Sequence, residues 1–278
     1  MRVIDFHTHT FPDAIAAKAI AGMQANSHAA VFGSGTVGGL LESMERSGIC
    51  RSVILPVATN PLKISSINTV SLQADPQNGL TYFGAMHPLA DNWKEELKRL
   101  HDAGVPGIKL HPQYQGVDIT DIRYLRILDY AAQLGLITVM HAGDEIAYPG
   151  VVRCSPEMVR SVCDQLPGIS LVLAHMGGWK NWDRVADQLA DTGCYLDTAI
   201  SLGQIVPIDG HYAPDDLPLL SEKAFISLVR AFGSERILFG TDSPWADQAE
   251  EIRKISSLPL EQAELENIFY RNAAHLLG

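Results

Sequence analysis

The stretch Val3-Ile4-Asp5-Phe6-His7-Thr8-His9-Thr10 decides how the rest of the chain is read. A short run of strand-favouring apolar residues leads directly into two histidines one residue apart. Side chains on a strand repeat with period two, so His7 and His9 point to the same side. Two imidazoles facing one way are half of a metal site, and a lone His-x-His says little unless the chain supplies the other half.

Outward from this stretch the apolar pattern alternates between short β-rich runs and longer runs with helical spacing. Eight strands are predicted, at 2–6, 52–57, 81–86, 107–110, 137–140, 170–174, 194–198 and 236–239. Amphipathic helices are predicted at 36–47, 93–101, 122–134, 157–166, 182–190, 223–232 and 260–277. Gly104, Gly135, Gly193 and Gly233 fall just after four of these helices, where a left-handed cap is wanted. Repeated βα units build a parallel sheet, and eight of them suit a closed (β/α)8 TIM barrel, an α/β fold, although an open doubly wound sheet uses the same units. At 278 residues the length fits one such domain, residues 1–278, and no linker or low-complexity run divides it. The longest irregular segments are 26–35, 144–156 and 201–218; the last two follow the fifth and seventh strands, on the side where barrel loops build active sites.

Composition narrows the function classes. With 46% hydrophobic and 19% charged residues the chain can bury a large core. The formal net charge of −11, without a clustered basic patch, argues against nucleic acid or an anionic membrane as partner. No run reaches the ~18 apolar residues of a membrane span, and the N-terminus lacks signal-peptide character, so a cytoplasmic protein is expected. Cys50, Cys154, Cys163 and Cys194 are far apart in sequence and form no CxxC pair, so they read as buried or free thiols. Gly33-Ser-Gly35-Thr-Val-Gly38 matches the dinucleotide fingerprint, but it lacks the strand before it and the acidic strand end after it, and reads as a glycine-rich loop.

The chemistry gathers at strand ends. The first predicted strand leads to His7 and His9, the fourth to Lys109 and His111, the fifth to His141, the sixth to His175 and the eighth to Asp242. In a parallel barrel the C-terminal strand ends share one rim, so residues distant in sequence converge there. Imidazole and carboxylate are the ligands a zinc-like divalent ion takes.

This ordered set resembles the amidohydrolase superfamily of metal-dependent barrel hydrolases, and most closely its amidohydrolase-related branch, which includes proteins similar to aminocarboxymuconate-semialdehyde decarboxylase. The resemblance spans essentially the whole chain, including Ile268-Phe-Tyr-Arg-Asn272-Ala-Ala-His-Leu-Leu near the C-terminus. It implies His7, His9, His141 and Asp242 as metal ligands, with Asp242 also taking a proton from the attacking water. It implies His175 as a residue that assists catalysis or holds a second ion. Lys109 either is carboxylated and bridges two ions, as in some relatives, or stays an ammonium that binds a substrate carboxylate, which is the reading preferred here. His111, two residues on, faces the same side and could contact substrate. The cofactor implied is one divalent ion, zinc first with manganese or iron as alternatives, and a second ion is allowed with Lys109 and His175.

Each residue also has a plainer reading. Asp242 could cap the following helix, His175 could be a hydrogen-bonded structural histidine, and His87 before Pro88 reads as structural. His28, His101, His211 and His275 read as solvated or locally paired. Asp5 either orients a ligand from behind or bonds the barrel floor.

The leading expectation is a hydrolase that activates water to cleave an amide, ester or lactone of a small molecule. A non-oxidative decarboxylase or hydratase acting on a small carboxylic acid is the alternative, since fold and ligands do not fix the reaction. A barrel that binds a metal or metabolite without turnover is the third reading. Substrate identity and oligomeric state are not legible, and a homo-oligomer is compatible with the sequence.

Overall fold

The structure is a computed structural model that describes residues 2–73 and 78–278. In chain order its strands are β1 (Ile4–Thr8), β2 (Arg51–Ile54), β3 (Leu80–Tyr82), β4 (Gly84–Ala85), β5 (Gly107–Leu110), β6 (Ile137–Met140), β7 (Leu171–Leu173), β8 (Tyr195–Asp197) and β9 (Ile237–Leu238). All eight predicted strands are present, the third as the split pair β3 and β4. The first strand runs further than expected: it continues through Thr8, so His7 lies inside it rather than behind it. The chain packs into two compact units, one made of residues 2–54 and 197–276, the other of 55–196.

In the first unit β1 is central. It pairs in parallel with β2, with Ile4 opposite Arg51 and Asp5 opposite Ser52. On its other side the Phe6 N–H donates to the Phe239 carbonyl at 2.8 Å, just past β9. Phe6, Val53, Ile237, Leu238 and Phe239 are all completely buried or nearly so. Burial on both faces is what a parallel sheet demands, and it explains why these strands read as apolar runs rather than alternating ones. Helix Val37–Ser47 starts where expected, with the Thr36 side chain accepting from the Gly39 N–H. The helices Asp13–Ser27 and Gln248–Ser256 were not anticipated; the first buries only Ala16 and Ile20, too thin a stripe to read as a period.

Glu251 on that last helix is the least comfortable residue of this unit. It is 1% exposed, and its Oε2 has no hydrogen-bond partner among the described residues. Burial, with the neighbouring Glu250 charge adding to it, pushes its pKa up to about 8 from 4.5. Between those values the folded chain holds a proton that the unfolded chain has released, so stability falls as pH rises, by about 1.4 kcal/mol per pH unit. Asp5, pushed by burial to about 6, contributes to the lower part of that window. Urea midpoints measured from pH 6 to 8 should therefore fall for the native chain and stay nearly flat for Glu251→Gln.

In the second unit β4 through β8 form a continuous parallel ladder. Ala85 pairs with Lys109, Lys109 with Val139, Leu110 with Met140, Met140 with Leu173 and Leu173 with Leu196. This register brings the residues just past β5, β6 and β7 to the same edge. The predicted helices appear as Trp93–Asp102, Ile122–Gln133, Pro156–Gln165 and Trp182–Leu189. Gly104, Gly135, Gly193 and Gly233 all take positive φ after their helices. Among the described residues no helix is long and apolar enough to cross a membrane.

Candidate metal centre

The first unit positions its polar side chains by zipping the end of β1 to the segment after β9. The Asp242 N–H donates to the His7 carbonyl at 2.8 Å, and the His9 N–H to the Ser243 carbonyl at 2.7 Å. Asp242 itself has φ of 66°, a conformation a non-glycine residue holds only when its surroundings impose it. Asp5 supplies part of that restraint. Its buried carboxylate accepts from the Thr241 hydroxyl at 2.6 Å, the Thr241 N–H at 3.1 Å, Gln248 Nε2 at 2.8 Å and the His7 N–H at 3.1 Å. Of its two readings, the bonds it makes are to backbone and loop: it ties His7 to the 241–248 segment.

Three ligand-type atoms converge as a result. His9 Nε2 lies 2.9 Å from Asp242 Oδ1, His7 Nε2 lies 3.4 Å from the same oxygen, and the two Nε2 atoms are 3.1 Å apart. The other nitrogen of His7, Nδ1, is 2.8 Å from Asp197 Oδ2. A carboxylate there holds the ring proton on Nδ1 and leaves the Nε2 lone pair facing His9 and Asp242. Two nitrogens and one carboxylate oxygen, with the tautomer set from behind, is a donor set that fits a zinc-like divalent cation. Asp197 was missed by the sequence reading. It ends β8, and asking of every strand end whether it carries a carboxylate would have found it.

Asp197→Asn keeps the shape but loses the charge behind His7. Isothermal titration with zinc should show affinity about 10–100-fold weaker, with the fold unchanged by circular dichroism.

The remaining predicted residues collect in the second unit. His141, just past β6, is 5% exposed; burial holds its pKa well below the imidazole range, with the neighbouring His111 and His175 charges adding and Glu145 opposing. Its Nδ1 is 3.0 Å from His175 Nε2, and its Nε2 is 3.1 Å from the Asp144 carbonyl and 3.5 Å from Glu145 Oε2. His111 leaves β5 to cap helix Pro112–Gln115 and stacks on His141 with ring centroids 4.0 Å apart. Its Nε2 is 3.3 Å from Glu145 Oε2. Lys109 is buried on β5 and its ammonium adds to the depression of His141. His175 sits at φ of 58°, followed by Met176 at 51°, and its carbonyl accepts from Trp182 Nε1 at 2.8 Å.

His111, His141 and Glu145 therefore form a second group of ligand-type atoms. Glu145, four residues after His141 in an irregular segment, carried no periodic signal and was not anticipated.

Three of the other histidines have partners outside both ligand groups. His87 Nδ1 accepts from the Leu89 N–H at 3.2 Å, and His28 pairs with Asp209 at 2.8 Å and stacks on His211 at 3.8 Å.

A family model for amidohydrolases matches residues 4–278. No curated protein matches the chain. Among solved structures, an uncharacterized TIM-barrel protein of Bordetella bronchiseptica is similar at 17% identity, covering 100% of this chain and 98% of its own, with a TM-score of 0.77. The 5-carboxyvanillate decarboxylase of Sphingomonas paucimobilis is similar at 14% identity, covering 99% and 98%, with a TM-score of 0.68. A Pseudomonas putida protein described as a 2-pyrone-4,6-dicarboxylic acid hydrolase is similar at 16% identity, covering 99% and 97%, with a TM-score of 0.67. Likeness at these identities speaks for the fold alone, and the fold is the TIM barrel expected from the eight βα repeats.

Proposed function

The chain belongs to the amidohydrolase family of metal-dependent enzymes, and from that premise we propose that it is a hydrolase cleaving an amide, ester or lactone bond of a small molecule. The observation that carries this reading is the convergence of His7 Nε2, His9 Nε2 and Asp242 Oδ1 with Asp197 behind His7. His7, His9 and Asp242 would hold one divalent ion, zinc before manganese or iron. Such an ion, when bound, acidifies water and polarises a carbonyl oxygen.

The side chains do the rest. Asp242 accepts the proton released as water attacks, and His175 is the second proton-handling group. His7 and His9 are assigned to holding the ion rather than to proton transfer, and His7 Nδ1 is committed to Asp197. Lys109, a buried ammonium, binds a carboxylate of the substrate, and His111 contacts the same molecule.

A second reading is non-oxidative decarboxylation of a small carboxylic acid by the same residues. A buried lysine suits a carboxylated substrate, and the Sphingomonas paucimobilis decarboxylase has the same fold.

The test is metal quantification on the purified protein, followed by activity screens with zinc or manganese restored. One ion per chain and cleavage within an ester, lactone and amide panel support the hydrolase. Carbon dioxide release from aromatic or dienoic acids with no cleavage across that panel replaces it with the decarboxylase. Absence of a stoichiometric metal, with no activity gained on adding one, overturns both.

A further inference from the structure

We propose that Cys163 and Cys194 form a reversible dithiol redox site, which a hydroperoxide oxidises to a disulfide within the chain. The two residues are 31 positions apart, and the fold of the second unit sets their sulfurs 3.5 Å from each other. Cys163 lies on helix Pro156–Gln165, and Cys194 stands immediately ahead of β8. Closing this gap to a disulfide requires the sulfurs to approach by about 1.5 Å, to the bond length of about 2.05 Å. That is within reach of side-chain rotation without dismantling either element.

The pair divides the work of a redox dithiol. Cys163 is half-buried and open to a small oxidant, while Cys194 is 2% exposed and waits behind it. The Cys163 thiol is held below its ordinary pKa, first by its bond to Cys194; burial opposes this, and the Arg160 guanidinium adds to it. The thiolate is the nucleophile in such chemistry, so this residue is the one that reacts first. Cys154 is the contrast: it is fully buried, and burial, with the neighbouring Cys163 charge adding to it, pushes its thiol upward.

The sequence of steps balances with the peroxide as sole oxidant. The Cys163 thiolate attacks the peroxide, the O–O bond breaks, Cys163 becomes a sulfenic acid, and the displaced oxygen leaves protonated as water or an alcohol. Cys194 sulfur then attacks Cys163 sulfur, the S–S bond forms, the S–O bond breaks, and the hydroxide leaves as water with the Cys194 proton. Two thiols are oxidised and one peroxide is reduced. An external dithiol reverses the change by exchange.

Each cysteine falls in its own tryptic peptide: Cys50 in 47–51, Cys154 in 154–160, Cys163 in 161–180 and Cys194 in 185–223. The full-length protein is reduced, desalted and exposed to one equivalent of hydrogen peroxide. The expected result is a loss of two of the four free thiols, with peptide 161–180 joined to 185–223 at the loss of two hydrogens. Dithiothreitol should restore both thiols. In Cys194→Ser the link is lost and dimedone captures a sulfenic acid on Cys163, and in Cys163→Ser the Cys194 thiol survives the treatment. A Cys163 that remains a thiol, or passes to sulfinic acid without linking, overturns the proposal, as does a first product joined through Cys50 of two chains.

Discussion

A His7→Ala, His9→Ala double variant is expected to purify without a stoichiometric transition metal and to turn over about a thousandfold more slowly than the native chain. The magnitude follows from what a bound divalent ion supplies, several kcal/mol of transition-state stabilisation, at tenfold in rate for each 1.4 kcal/mol. The argument rests on the three atoms that meet in the first unit. Deleting both imidazoles leaves Asp242 as the single ligand-type side chain of that group, and one carboxylate does not hold zinc against water. His7 is almost fully buried, so its removal also leaves a cavity and strips Asp197 of the ring it bonds. The single variant His9→Ala separates the two effects, because His9 is partly exposed and its loss should spare the thermal midpoint while still weakening the metal. Inductively coupled plasma analysis and a thermal melt read these outcomes. Unchanged metal content in the double variant would remove the basis for the proposed hydrolase.

The second large effect is expected at Gly143, where alanine should destabilise the chain by about 3–5 kcal/mol, combining a strained backbone with overpacking. Gly143 has φ of 88°, which a Cβ disfavours. A methyl there would also overlap the backbone nitrogen and carbonyl oxygen of Trp179 and the carbonyl carbon of Gly178. Those atoms cannot step aside, since they are tied to the same segment. The Trp179 N–H donates to the Ala142 carbonyl at 3.2 Å, the Asp144 N–H to the Trp179 carbonyl at 3.0 Å, and Gln113 Nε2 to the Gly143 carbonyl. Because Gly143 sits between His141 and Glu145, the strain should also disturb the second ligand group. A chemical denaturation curve gives the first effect, and weaker metal binding by the surviving folded protein gives the second. A midpoint equal to that of the native chain would show that the Trp179 segment yields.

How much of this was legible depends on whether the signal was local. The strands were readable because burial on both faces imposes mostly apolar runs, as in Ile137–Met140 and Gly107–Leu110, interrupted only by Thr138 and Lys109, and their predicted bounds match the structure. The helix Ile122–Gln133 was readable because its buried Tyr124, Ile127, Leu128 and Ala131 keep helical spacing. Helix Asp13–Ser27 was not, because it turns almost no apolar stripe inward. His7 and His9 announced themselves through period two, and His111, His141 and His175 through their places at strand ends. Asp197 shares that strand-end position without the imidazole that made the others conspicuous, and Glu145, in an irregular segment, gave no such sign. Each matters only through a partner distant in space or in an irregular segment, His7 for the first and His111 with His141 for the second.

The sequence by itself determined the repeat of eight βα units, the acidic composition and the residue types available at the strand ends, since all of these are properties of neighbours along the chain. Only the tertiary structure decided which atoms meet. Pairing of β1 with the segment after β9 places Asp242 beside His7 and His9, and the register of β5, β6 and β7 aligns His111, His141 and His175. The same holds for Cys163 and Cys194, which share no motif and stand 31 residues apart. The physical reason is common to all three cases: backbone pairing and helix packing fix distances between residues that no spacing rule along the chain connects.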